Sequence, residues 1–190
     1  MKNITFLILV CLLTSCNKTY IYKYTLDGSK NLSYKDQSIA VQFAPNHKYF
    51  EFFIENKSTT PIKIVWDESV LVINEIVSRL MHENIRYSDR MSSAVPTFIP
   101  PGEKLYDLVA PTDFVTYSAV TSSSAWVQNS IYPDHGLKSI ILPMVKASVG
   151  KHVKLYLMVE GGDGSKKLNV FDFKIEGYGK KTYKNFYQGL

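Results

Sequence analysis

The chain predicts an all-β fold, an antiparallel β-sandwich of about seven to nine strands, and three observations predict it. Short segments alternate apolar and polar residues with the period of two that a strand with one buried face requires. Turn residues recur at intervals of about 8 to 20 positions. Aromatic residues are plentiful, 13 Tyr and 10 Phe against 2 Cys, so the core must rest on ring packing rather than on disulfides.

Taken in order, Thr19 to Leu26 sets Tyr20, Tyr22 and Tyr24 against Ile21 and Lys23, then dissolves into Asp27-Gly28-Ser29-Lys30-Asn31. It is either an early edge strand or the start of a tether running to Ser38. The domain proper is expected from Ile39, where Ile39, Val41 and Phe43 alternate with Ala40 and Gln42 before Pro45-Asn46. Phe50, Phe52 and Ile54 alternate with Glu51, Phe53 and Glu55. After a turn at Asn56 to Thr60, Pro61 opens a strand that puts Ile62, Ile64 and Trp66 on one face. Val70 to Ile73 is a short apolar run.

Ile76 to Tyr87 reads as a strand or irregular hairpin, because its helical stripe is interrupted and no capping box precedes it. Ile99-Pro100-Pro101-Gly102 is a turn, and the strand behind it carries Leu105, Asp107 and Val109, or Tyr106 and Leu108, on its inner face. Thr112 to Pro133 reads as a long ordered loop holding Trp126, and Ser139 to Leu142 as a short strand stopped by Pro143. The clearest pair comes last. Val153, Leu155, Leu157 and Val159 form one row, Gly161-Gly162-Asp163-Gly164 turns the chain, and Phe171, Phe173 and Ile175 return.

Ahead of this domain stand Lys2, an apolar run from Ile4 to Leu13, and Leu13-Thr14-Ser15-Cys16. A helix of about 10 apolar residues rises about 15 Å, half of a hydrocarbon core of about 30 Å, so the run cannot span a bilayer. Basic start, short apolar stretch and small residues are the parts of an export signal. The four-residue ending resembles the lipobox of bacterial lipoproteins. That resemblance implies cleavage after residue 15, acylation of Cys16 and, with Asn17 rather than Asp following, the outer membrane if the host is Gram-negative. Cys11 would be discarded with the signal, leaving Cys16 as the one cysteine of the mature chain. Residues 16–38 would be the lipidated cysteine and tether, 39–176 the sandwich, and 177–190 a tail. The stretch Phe52 to Ile62 with Trp66 is also similar to the early strands of immunoglobulin-like bacterial domains, in which an Asn-x-Ser/Thr turn precedes a Pro-led strand with a core Trp. This implies an immunoglobulin-like sandwich and no particular activity.

Charge and motifs narrow the function. A formal net charge of +5 with dispersed lysines suits anionic lipid headgroups or cell-wall polymers and gives no nucleic-acid footprint. The four histidines, His47, His82, His135 and His152, lack metal-ligand spacing and read as surface or turn residues. No nucleophile elbow is present, and Asp134-His135 with Ser122, Ser123 and Ser124 supplies triad residue types without triad geometry. Gly179-Lys180-Lys181-Thr182 fails as a phosphate loop, and one Asp in Gly161-Gly162-Asp163-Gly164 falls short of the about six to eight oxygens that calcium takes.

No cofactor or metal is expected, and the chain reads as a non-enzyme. Two features could bind: Trp126 in its loop, and the basic aromatic tail of Tyr178, Lys180, Lys181, Tyr183, Lys184, Phe186 and Tyr187. The tail's alternative is simply to pack its rings on the domain. The expectation is a membrane-anchored envelope module that binds an envelope protein or polymer. The alternatives are an envelope hydrolase acting on glycans or esters, and a structural subunit of a surface assembly that pairs through sheet edges.

Overall fold

The computed structural model describes residues 17–83, 85–117 and 126–180. The fold is mostly β, as the period-two patterning requires, and its sheet is antiparallel throughout. Among the described residues there are fourteen strands, more than the seven to nine expected, because several pairings involve only three residues. Twelve strands join into one curled sheet.

Its path starts at β12 (His135–Leu137) and continues through β1 (Asn17–Leu26), β14 (Lys166–Lys180), β13 (His152–Glu160), β6 (Val70–Ile73) and β7 (Ile76–His82). It then passes to β9 (Lys104–Pro111), β4 (Phe50–Asn56), β3 (Ile39–Pro45) and β2 (Ser33–Lys35). A branch runs from β13 to β5 (Ile62–Ile64) and β8 (Thr97–Ile99), and β10 (Val115–Tyr117) pairs with β11 (Trp126–Gln128) apart from it. The corner lies in β7. Its first half pairs with β6 and its last three residues pair with β9, so one strand serves both faces of the curl.

The curl closes on an aromatic core. Phe43 of β3 meets Phe171 and Phe173 of β14 at ring-centroid distances of 4.8 and 5.0 Å, and Phe50 of β4 meets Phe173 at 4.9 Å. All four rings are buried, each contributing about 1.5–3 kcal/mol relative to exposure. The inward rows are those the alternation marks: Val153, Leu155, Leu157 and Val159 on β13, and Phe171, Phe173 and Ile175 on β14. On β9 the inner row is Leu105, Asp107 and Val109.

Three expectations are corrected. Residues 17–26 are no tether: they form β1, which pairs with β12 over Asn17–Thr19 and with β14 over Tyr20–Leu26 and buries Tyr20, Tyr22, Tyr24 and Leu26, so folded structure begins well before Ile39. Over 20–26 no second strand stands beside it among the described residues, as the early edge strand expected from the alternation requires. Ser139 to Leu142 lies not in a strand but in helix α1 (Lys138–Ser148), which seats Ile141, Val145 and Ser148 inward at a spacing of four and three while Pro143 faces solvent. The described parts of 112–133 are not loop alone, since they hold a 3-10 turn at Thr112–Phe114 as well as β10 and β11.

Candidate functional site

A cleft of about 290 Å3 opens between the two faces of the curl at the tip of the β13–β14 hairpin. Its floor is Ile39, Ile62 and Val159, and its rim carries Ser38, Ser58, Thr60 and Ser165. Each wall follows from local sequence. At Gly161 a Cβ would stand 2.9 Å from Asp163 Oδ1, the end of a side chain that could shift. At Gly162 a Cβ would stand 2.9 Å from Thr60 Cβ, so glycines let the hairpin close against the β4–β5 turn. That turn is organised by Asn56, which is fully buried. Its Nδ2 donates to the carbonyls of Thr60 and Ile99 at 2.8 and 3.0 Å, and its Oδ1 accepts from the Ser58 backbone N–H and hydroxyl.

Asp36 and Lys167 form an ion pair across the mouth of the cleft. Asp36 also accepts from the N–H groups of Ser38 and Ile39 at 2.7 and 2.8 Å and from the Tyr34 hydroxyl at 3.0 Å. Burial alone would push its carboxyl up. The Lys167 ammonium, the two N–H groups and the tyrosine outweigh burial and hold its pKa down at about 2. Deeper in, Asn169 is buried. Its Nδ2 makes long bonds to the carbonyls of Lys167 and Leu157, while its Oδ1 has no partner among the described residues.

The β14 strand that forms this wall outruns its neighbour. β1 pairs with it from Lys180 down to Phe173, and two further bonds end the contact, from the Asp27 N–H to the Asp172 carbonyl at 2.9 Å and from the Asp172 N–H to Asp27 Oδ1 at 3.4 Å. Beyond that point Lys166 to Phe171 has β13 on one side and no strand on the other among the described residues. Leu168 and Val170 on this stretch are 46% and 45% exposed.

Two polar clusters lie elsewhere. Asp134, buried, takes His47 Nε2 on Oδ2 at 2.9 Å, and His135 Nδ1 and the Ser130 hydroxyl on Oδ1 at 2.8 and 2.9 Å. Burial raises its pKa, but the bond from His135, the nearby His47 and the Ser130 hydroxyl pull it below the ordinary carboxylate value. Ser130 donates to the carboxylate and not to an imidazole, which is the wrong order for a Ser-His-Asp relay. Ser122, Ser123 and Ser124 lie outside the described residues. The second cluster overturns one reading of the sequence: His82 is buried, its ring stacked 4.4 Å from Trp66 at an interplanar angle of 13°. Its Nδ1 lies 3.3 Å from Asp107 Oδ2, within ion-pair reach but too poorly aligned for a hydrogen bond. Trp66 itself donates to the Thr97 hydroxyl at 2.8 Å.

Among the residues singled out from sequence, Tyr178 belongs to β14 and meets Tyr20 edge-on at 5.7 Å, packed against the core rather than projecting from a tail. Lys180 is the last residue of β14, opposite Tyr20, and Trp126 is the first of β11, opposite Tyr117. Cys16, Lys181, Tyr183, Lys184, Phe186 and Tyr187 lie outside the described residues. The cleft was missed from sequence because its walls come from three separated segments, 36–39, 58–62 and 159–169. Asn169 was its one local signal, a polar residue in an otherwise apolar inward row.

Among the described residues no group of three His, Cys, Asp or Glu side chains is placed to hold a metal ion. No helix among them is long and apolar enough to cross a membrane. No protein-family model, no curated protein and no solved structure matches the chain.

Proposed function

We propose that this is a lipid-anchored, non-catalytic module of the bacterial cell envelope, tethered through acyl chains on Cys16 and presenting the cleft to an envelope protein or polymer. The observation that carries this reading is the layout of β14. Lys180 pairs with Tyr20, three residues into the strand that directly follows Cys16, while Lys167 and Asn169 line the cleft near the other end of β14. At about 3.4 Å per residue, the cleft stands about 40 Å from the anchored end. Because β1 starts at Asn17, the sheet itself acts as the spacer and sets the cleft outward from the bilayer. Two or more acyl chains on one cysteine give stable anchoring where a single chain gives only marginal binding.

The finer fold reading is an immunoglobulin-like sandwich. It is supported by the Asn56 turn, the Pro61-led strand and the buried Trp66, and by a curl whose two faces pack on each other. In a Gram-negative host the outer membrane is the expected location, since Asn17 rather than Asp follows Cys16.

The test is retention from solubilised envelope. The immobilised full chain is expected to enrich one envelope protein, or to bind cell-wall polymer or lipopolysaccharide, and a Ser38→Trp variant that fills the cleft mouth is expected to lose most of that binding. Capture of no envelope component by the wild type would contradict the proposal.

A further inference from the structure

The geometry points to the open edge of β14, from Lys166 to Val170, as a docking site for an extended protein segment that adds a strand to the sheet. This rests on the binding-module reading and narrows its ligand to a polypeptide. Alternate residues of an antiparallel strand send both N–H and C=O to the same side. The Asp27 N–H bonds to the Asp172 carbonyl, so the even-numbered residues of this stretch face the β1 side. The main-chain groups of Leu168 and Val170 therefore point to the side where no described strand stands, while Phe171 and Asn169 pair with Leu155 and Leu157 of β13.

Exposed edges are normally protected by charge, by proline or by a covering segment. Lys166 and Lys167 flank this one, but their ammonium groups are held by Glu68 and Asp36 of the same chain. The side chains that remain at the edge, Leu168 and Val170, are apolar. They continue across the outer face into Met158 and Tyr156 of β13, which stand opposite them, and into Val70 of β6, opposite Tyr156.

An added strand would find three matched features. Main-chain partners are Leu168 and Val170, its outward side chains would lie on the apolar strip, and an inward side chain would enter the cleft beside Asn169. Main-chain bonds then supply affinity and the alternating side chains supply selectivity. The acetamido groups that a glycan chain can carry hang from its rings and do not reproduce the N–H and C=O that alternate strand residues send to one side, so the chemistry that fits is an extended peptide with alternating apolar residues.

The experiment uses the full chain in detergent and a synthetic peptide that alternates Val with Lys, capped at both ends. At a peptide concentration about ten times its Kd, hydrogen exchange at the Leu168 and Val170 amides is expected to slow about tenfold. A peptide of the same length with Pro at every second position is expected to change nothing. Val170→Pro removes an N–H that β13 does not use and is expected to abolish the slowing at the Leu168 amide at unchanged unfolding temperature. Val170→Lys, which keeps the backbone intact and adds an edge charge, is expected to weaken it.

Equal slowing in Val170→Pro, no slowing in the wild type, or protection that arises without peptide through self-association would each overturn the inference. The mass of the same sample separates the two readings: a silent edge on acylated protein removes only the edge, and peptide binding by unacylated protein removes only the anchor.

Discussion

At the scale of single residues, the cleft mouth is held by a carboxylate whose ionisation is coupled to folding. Asp36 has a folded pKa of about 2 against an ordinary 3.8. Its contribution is complete above the ordinary value and is lost as pH falls towards about 2. Asp36→Asn, which keeps an oxygen for Ser38 and Ile39 but loses the charge that holds Lys167, is expected to cost about 1 kcal/mol near neutrality. That corresponds to a midpoint about 2–4 °C lower in thermal unfolding, and the gap to wild type is expected to close as pH approaches 2. A gap that stays constant from neutrality to that acidity would show that the ion pair is not the source. Not all residue-scale facts could be read in advance. Gly102 takes a φ of +76° where a Pro-Pro-Gly sequence announces it, whereas the β6–β7 turn places Asn74 and Glu75 at φ of +50° and +68° without a glycine. Glu carries no signal for such a backbone, which is why this hairpin was legible only as an ambiguous run.

At the scale of elements, β1 decides whether the sheet closes. It supplies Tyr20, Tyr22, Tyr24 and Leu26 to the core and joins β12 to β14. Four such side chains, at about 1.5–3 kcal/mol each, match the whole net stability of an ordinary domain, about 5–15 kcal/mol. A chain beginning at Ile39 is therefore expected to show no cooperative thermal transition by circular dichroism, and a melt near the wild-type midpoint would contradict the placement of β1. The tyrosine alternation in 20–24 marked an edge strand or a tether, and only long-range pairing with 173–180 decides for the strand. Helix α1 escaped for a different reason. Ile140, Ile141 and Pro143 carry strand-like and helix-breaking propensities, and what makes the segment helical is the tertiary burial of Ile141 and Val145. By contrast, the β13–β14 hairpin could be read directly, since alternation and a glycine turn specify a local contact. Its open edge could not, because that depends on where β1 stops.

At the scale of the whole molecule, the proposed anchor and the proposed binding surface fall at the two ends of β14. One end carries β12, α1 and the start of β1, the strand that follows Cys16. The other carries the cleft and the stretch of β14 that has β13 on one side and no strand on the other among the described residues. The proposed anchor rests on sequence alone, on a local pattern of charge, apolar length and small residues. The cleft could not be read there, since Asp36, Thr60 and the hairpin residues Val159 and Asn169 form one wall-to-wall space only after the sheet has curled.

The measurement that tests the central claim most directly is intact mass together with detergent-phase partitioning, made on the protein expressed in a bacterial host beside its Cys16→Ser variant. The account predicts that the wild type loses residues 1–15, gains the mass of acyl chains and follows the detergent phase, while the variant does neither of the last two. Wild-type protein that stays unacylated and in the aqueous phase would contradict it.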